Sequence, residues 1–444
     1  MLIHTVFTFE WKKVKMSSAF WIANALLFSI ALIALINGRN IIRQQKDTID
    51  KTIVKEKKVF DGIINQMHYP DTSSADKKWD YSKLTDPSWS LISPNKRWTT
   101  FWEPSASSFM AIGNRDVYPY YHEMEPFSFY MRFFKNEISS PFKLLFGNLD
   151  LAFVIIFLFP LFMIAFKFNI RSEEVESGTF ALLDSTSSAS KIINLKILFY
   201  LLSTLILLNG ILLISVAYFD DLSLSQWLSY SVTANLYIIV WFLIIFLVVQ
   251  LKKSSVQTAI LLSTLWIFLS IGLPAIINSV ANSKYPVSTE VFSKYIRRVQ
   301  LNPEPILLKN RLSAFTKLYP QYKNTDTSDH LLFNKAYAVS GELSDREADV
   351  VLKSYLEQVA QRENFIRKWN FLNPVTQCQQ SFTKTTQTDL TAFTEYLKSV
   401  RAFVQLIKED LTNKYFTNQK MTVDDFNNRL SFKEYLSIKS TAKK

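Results

Sequence analysis

Ile197–Phe219 reads ILFYLLSTLILLNGILLISVAYF, an unbroken apolar stretch with no acidic or basic residue. As a helix it crosses a bilayer, because about 20 apolar residues rising 1.5 Å each cover a hydrocarbon core of roughly 30 Å. Working outward, four more stretches are apolar at similar length: about Ala19–Ile36, Leu149–Phe166, Ser229–Leu251 and Val256–Asn278, with Asp150 at the very start of the second the one charged residue among them. The rest of the 444 residues is polar and lysine-rich, so the averages of 48% hydrophobic and 20% charged residues hide two populations. Neither an ordinary soluble domain nor a disordered chain segregates in this way. The expected fold class is an all-α integral membrane protein with about five transmembrane helices and a mostly helical extracytoplasmic domain. The first stretch is too long for a secretory signal, and Gly38-Arg39-Asn40 after it reads as a membrane exit, not a cleavage site.

Lysine and arginine in the short connections set the orientation. Lys12, Lys13 and Lys15 precede the first span. Lys167, Arg171, Lys191 and Lys196 lie between the second and third, and Lys252-Lys253 between the fourth and fifth. The connection between the third and fourth holds Asp220 and Asp221 and no base. This alternation puts the N-terminus in the cytoplasm and, with five spans, the C-terminus outside. The expected organisation is an amphipathic leading helix and first span in 1–38 and an extracytoplasmic insertion in 39–148. Spans two to five follow in 149–278 with a cytoplasmic loop at 167–196, then a helical extracytoplasmic domain in 279–444.

Several function classes are disfavoured. The net charge of +12 is spread along the chain without a compact basic run, which argues against nucleic acid. Cys378 is the lone cysteine, and His4, His68, His122 and His330 show no zinc-ligand spacing. None of the eight glycines is followed by Lys, so a Walker A phosphate loop is lacking. We expect no catalytic residue, no metal site and no cofactor in this chain. The interiors of the spans carry no Asp, Glu, Lys, Arg or His, whereas ion-coupled carriers need such groups. Their mild polar residues, Asn24, Asn209, Asn235 and Gln257, read as hydrogen-bonding groups between helices. Pro160 and Pro274 read as kinks, and Gly210 and Gly272 as points of close packing.

If the protein moves something, the energy comes from elsewhere, and a docking surface is needed. The cytoplasmic loop is the candidate: Arg171-Ser172-Glu173-Glu174-Val175-Glu176-Ser177-Gly178-Thr179-Phe180-Ala181-Leu182-Leu183. It reads as the end of span two, a turn at Ser177-Gly178 and a short helix from Thr179. Such a helix across the mouth of two spans is a lever, and its acids suit basic residues on a partner. The other reading is a solvated charged connection.

This segment resembles the loop of permease subunits of the type-2 class of ABC transporters, in which Glu, Gly-Thr and Leu-Leu follow span two and a Lys enters the next span. Glu173, Glu174, Glu176, Gly178, Thr179, Leu182, Leu183 and Lys196 stand in those places. Gly147 to Phe153 followed by Pro160-Leu161 resembles the start of span two in a branch with large extracytoplasmic insertions. Phe9-Glu10-Trp11-Lys12-Lys13 resembles the amphipathic leading helix, and Asn373-Pro374 with Thr388 to Phe403 resembles the terminal domain of that branch. The resemblance implies a multi-pass protein of the bacterial cytoplasmic (inner) membrane, forming a homo- or heterodimer and paired with a separate ABC ATPase subunit. Glu173, Glu174, Glu176, Gly178 and Thr179 would couple to that ATPase, in export of a substrate. The alternative is a membrane-anchored module for signalling or force transmission, driven by an ATPase without cargo.

Outside the membrane, Ile42, Ile49, Ile53, Phe60, Ile64 and Met67 predict a helix projecting from span one. Residues 69–135 are rich in aromatics, among them Trp79, Trp98, Trp102, Phe133 and Phe134, and predict short elements around a ring-packed core. Ser344-Asp345-Arg346-Glu347 predicts a capping box opening a helix to Trp369. Leu390, Phe393, Leu397, Val400, Val404, Ile407 and Leu411 step by three and four. That stripe suits either a coiled coil between molecules or packing on the 42–67 helix.

Overall fold

The computed structural model describes residues 2–71, 73–93, 96–130, 148–185, 189–217, 222–286, 305–323 and 329–441. Phe133, Phe134, Gly147 and the Asp220-Asp221 pair lie outside the described residues, as do the side chains of Trp79, Leu182 and His330. The architecture is helical throughout, with one short two-stranded sheet among the described residues.

Helix α1, Leu2–Met16, ends where the Ser17 hydroxyl caps helix α2 by accepting from the Phe20 N–H at 3.3 Å. Helix α2, Ser18–His68, is a single helix of 51 residues. At 1.5 Å per residue it is about 76 Å long, far more than a bilayer needs. Its first part is the first span, and the rest projects as the 42–67 periodicity predicts. Residues 151–167 form α5 and 255–284 form α10. Helices α8, Ala189–Ala217, and α9, Leu224–Val249, complete the five helices that, among the described residues, are long and apolar enough to cross a membrane. The protein is a multi-pass membrane protein.

Both prolines in the spans follow a π-helical turn, Val154–Leu158 before Pro160 and Phe268–Gly272 before Pro274. A widened turn accommodates the missing N–H. Gly272 lies against its own Phe268 ring, while a side chain at Gly210 would meet open space, so Gly210 marks no close approach. Asn209 and Asn235 exchange amide hydrogen bonds at 2.8 and 3.1 Å, joining α8 to α9. Asn24 bonds back to the Phe20 carbonyl, and Gln257 completes a capping box with Ser254.

At one end of the bundle, residues from both long segments build a domain. Helices α3, Ala75–Thr85, and α4, Pro87–Ile92, precede strand β1, Trp98–Phe101, which pairs antiparallel with β2, Tyr121–Met124. The C-terminal part supplies α11, Pro305–Leu318; α12, Asp329–Trp369; α13, Pro374–Thr385; α14, Leu390–Phe416; α15, Val423–Asn427; and α16, Phe432–Thr441. Phe60 and Met67 of α2, Trp98 of β1, and Phe393, Val400 and Phe403 of α14 share one core. The α14 stripe is therefore buried within one chain. It faces the α2 stripe across that core, with α4 and the sheet filling the layer between.

The capping box at Ser344 is not formed. Helix α12 begins fifteen residues earlier and runs straight through 344–347, ending at Trp369 as expected. The Ser344 hydroxyl accepts from Arg311, and Asp345 is buried as an acceptor for Ser128, the Phe129 N–H and Lys408. Local capping chemistry lost to tertiary partners that only folding brings near.

Candidate functional site

The connection, described over 168–185, lies at the opposite end from the domain, with α1 and the 250–255 turn beside it. Two short helices form it, α6, Ser172–Glu176, and α7, Thr179–Ser185. Gly178, at φ +77°, makes the turn between them, a conformation that only glycine adopts freely. The spacing-based reading placed this turn and the start of α7 correctly.

The three glutamates do not hang free. Each fastens the connection to a different helix of the same chain. Glu173 receives Lys13 of α1 at 2.6 Å, with both side chains nearly half exposed. Glu174 pairs with Lys196 of α8 and accepts from the Thr179 hydroxyl. Glu176 accepts the Ser255 N–H and hydroxyl, both at 2.9 Å, at the start of α10. The Ser255 hydroxyl also reaches Ser172 at 2.8 Å.

A second layer lies beneath. Lys196 contacts Glu10 of α1 at 3.1 Å, and the Tyr200 hydroxyl donates to Glu10 at 2.9 Å. Glu10 is 1% exposed, so leaving it alone there would cost several kcal/mol. Lys167 is equally buried, with its ammonium 3.0 Å from the Tyr200 ring centre and 5.2 Å from that of Phe20. The rings supply a cation–π surface in place of water. Two lysines that count toward orientation are thus internal fasteners.

Outward, the connection shows Glu176, which stays exposed beside Ser255, and a run of small residues. Val175 is 52% exposed, and Ser177, Gly178, Thr179 and Ala181 are exposed with it. Phe180 is half-covered, with the Arg171 guanidinium over its ring at 5.2 Å.

Glu173, Glu174 and Glu176 lie on or at the end of α6, Gly178 in the turn and Thr179 at the start of α7, while sequence reasoning looked no further than this element for its site. It missed Glu10, Lys167, Tyr200 and Ser255. Glu10 had a signal: it stands midway between Val6 and Val14 on the buried face of α1, at i and i+4 spacing. Phe9 and Trp11, which look like the packing residues, are 60% and 52% exposed and suit the headgroup boundary. Ser255 had none, because its partner is 79 residues away.

A second constellation lies at the level of the spans on the domain side. Helices α12 and α13 form a hairpin whose tip is the 3-10 turn Asn370–Leu372. The Asn373 side chain, fully buried, donates to the Leu269 carbonyl of α10 at 2.9 Å and caps α13 through the Val375 N–H. Helix α13 lies along α9. Thr385 meets Ser229 at 3.3 Å, Ser381 meets Thr233 at 2.9 Å, and Phe382 stacks on Tyr230 at 4.0 Å. Asp150, passed over at the head of span two, caps α5 there and holds the Ile112 N–H at 2.9 Å.

Residues 304–434 match a family described as a domain of unknown function (DUF3526). That segment covers α11 to α15 and so includes the hairpin. No curated protein and no solved structure matches the chain.

Proposed function

We propose that this chain is the membrane subunit of an ATP-binding cassette transporter, powered by a separate ATPase that docks on α6 and α7. The observation that carries this reading is the fastening of one short connection to α1, α8 and α10 through Glu173, Glu174 and Glu176. A push on that connection moves two spans and the leading helix α1 together. The docking surface is then Val175 and the turn 177–181, and the glutamates transmit force instead of meeting the partner. In this reading the connection faces the cytoplasm of a bacterial inner-membrane protein, the domain faces outward, and subunits pair as a homo- or heterodimer. Export is the direction that goes with it.

The test separates docking from transmission. Val175→Glu with Thr179→Glu should strip the ATPase from purified complexes. Glu173→Ala with Glu176→Ala should leave it bound but uncouple substrate-stimulated hydrolysis. Co-purification unchanged by the first pair overturns the reading. The alternative of an ATPase-driven module without cargo is supported by the size of the domain, and it predicts hydrolysis insensitive to any substrate in vesicles. Cys378 is buried, so sidedness is read from introduced thiols, Ser73→Cys and Ser177→Cys, with a membrane-impermeant reagent.

A further inference from the structure

The tip of the α12–α13 hairpin is apolar and bare. Trp369 is 42%, Phe371 68% and Leu372 49% exposed. In water such a tip would be costly, but its position along the spans removes it from water. Leu269, to which Asn373 is bonded, lies nine residues below Asn278, or about 13 Å at 1.5 Å per residue. A second ruler agrees. Val240, which faces the tip, lies eleven residues below Ser229, or about 16 Å along α9. Both depths reach roughly the middle of a 30 Å hydrocarbon core. Irregular backbone at that depth needs partners from the protein, and the turn finds them at both ends. Gln377 donates to the Asn370 carbonyl at 3.0 Å, and Asn373 is held as described.

Between α9, α10 and the tip runs an open apolar groove of about 410 Å³, walled by Val240, Ile244, Leu265, Leu269, Phe371 and Leu372. Gln377 stands at its upper end and also lines a second cavity, of about 1130 Å³, in the domain above. Continuing up α13, Gln380, Ser381 and Lys384 line that cavity. Its charges are mixed: Arg367, Lys384 and Lys439 stand with Glu103, Glu363, Asp389 and Glu395. One helix thus leads from a polar chamber of both signs into an apolar slot at mid-bilayer depth.

We propose that this pair of cavities binds a zwitterionic phospholipid drawn from the leaflet on the domain side, its acyl chain in the slot and its headgroup in the chamber. At the depth of the slot the surrounding medium is hydrocarbon, and the neighbouring lipid-facing residues of α9, Leu236 and Leu243, are 57% and 55% exposed. A single-charge headgroup would leave one set of the chamber's charges opposed. This goes beyond the coupling reading and does not rest on it.

The experiment uses the full chain in nanodiscs of phosphatidylethanolamine doped with the same lipid bearing a diazirine midway along one acyl chain. After photolysis, adducts should concentrate on the hairpin tip and on Val240 and Leu265. Val240→Trp, which fills the slot, should cut them several-fold, and Leu213→Trp on the outer face of α8 should not. Lys384→Glu should weaken capture of the phospholipid but not of a diazirine fatty acid. Should Val240→Trp fail to fold, Phe371→Ala with Leu372→Ala at the exposed tip carries the same expectation. Adducts spread evenly over exposed residues such as Ile206 and Leu213, or labelling indifferent to the slot variants, overturn the proposal. So does equal capture by the parent chain of the fatty acid, whose only headgroup is a carboxylate.

Discussion

Two lysines, one at each end of the molecule, are buried between two carboxylates. Lys196 lies between Glu10 and Glu174 at the α6–α7 connection, and Lys408 lies between Glu342 and Asp345 in the domain. In the domain the central three side chains are sealed, at 3%, 6% and 0% exposed, and only their outer partners Arg401 and Arg346 approach water. Asp345 also takes the Ser128 hydroxyl, the Phe129 N–H and Arg401, so α12 is tied to α14 and to the 128–129 segment. At the connection the seal is graded. Glu10 is 1% exposed, Lys196 8% and Glu174 16%, and beyond them Glu173 and Lys13 reach water. A clamp sealed all round fixes a shape. A clamp that opens toward water holds helices together while leaving their joint able to shift.

The comparison breaks most sharply at the two lysines. Lys408→Ala takes the shared, fully enclosed cation from two buried carboxylates, leaving them the partly exposed Arg401 and Arg346, and should cost the domain about 3–5 kcal/mol, the usual result of removing one partner of a buried pair. Lys196→Ala strands Glu10, but Tyr200 still donates to it and Glu174 reaches water, so the cost belongs near the lower end, about 3 kcal/mol. Thermal unfolding followed by limited proteolysis separates the two. Lys408→Ala should expose cleavage sites in α12 and α14, and Lys196→Ala sites in α1 and the connection alone. Equal damage at both ends would erase the distinction between sealed and graded clamps.

A pH titration sharpens it further, because the domain also buries a histidine. His122 on β2 shares a 2.8 Å hydrogen bond with the Tyr396 hydroxyl, and burial pulls its pKa from 6.5 down to about 4. Between those values the unfolded chain takes up a proton that the folded domain refuses. Stability from this group is therefore complete above pH 6.5, falls as the pH drops and is gone below about 4. The full loss is about 3 kcal/mol at 1.36 kcal/mol per pH unit. His122→Asn keeps a partner for Tyr396 and should flatten the fall in the domain's melting temperature across that window. A parent curve already flat between pH 6.5 and 4 would contradict a neutral buried ring.

The parts legible in the sequence were those governed by local pattern. The five spans, the projecting run from Ile42 to Met67 and the turn at Gly178 rest on hydropathy, 3.6-residue spacing and glycine chemistry. So do the end of α12 at Trp369 and the stripe from Leu390 to Leu411. Where the structure departs, contacts between distant residues decided. Ser344-Asp345-Arg346-Glu347 carries a helix-start signal, yet Asp345 is claimed by Lys408, 63 residues on. Glu173, Glu174 and Glu176 read as an exposed acidic face, yet each meets a partner on another helix. The hairpin tip was hidden for another reason. Trp369, Phe371 and Leu372 are too few to register as a span, and only the bond from Asn373 to Leu269 gives their depth.

The smallest expected effect lies in the two glycines with left-handed backbones. Gly113, at φ +52° in the domain, is hemmed by Thr388, whose carbonyl oxygen would stand 2.9 Å from an added Cβ. Gly178, at φ +77° in the connection, has nothing within 4 Å of that position. Gly113→Ala must therefore displace backbone as well as strain its own, whereas Gly178→Ala is left with the conformational cost alone, about 1–2 kcal/mol. Because 1.4 kcal/mol is a tenfold change in an equilibrium, amide exchange across residues 177–181 should quicken roughly tenfold. Exchange in the domain should stay as it was. Such a change would mean that the turn is held in place by Glu173, Glu174 and Glu176 with only a small reserve. Exchange that was already fast and did not respond would mean that the three fastenings do not hold the connection, and a lever that is not held cannot pass on a push.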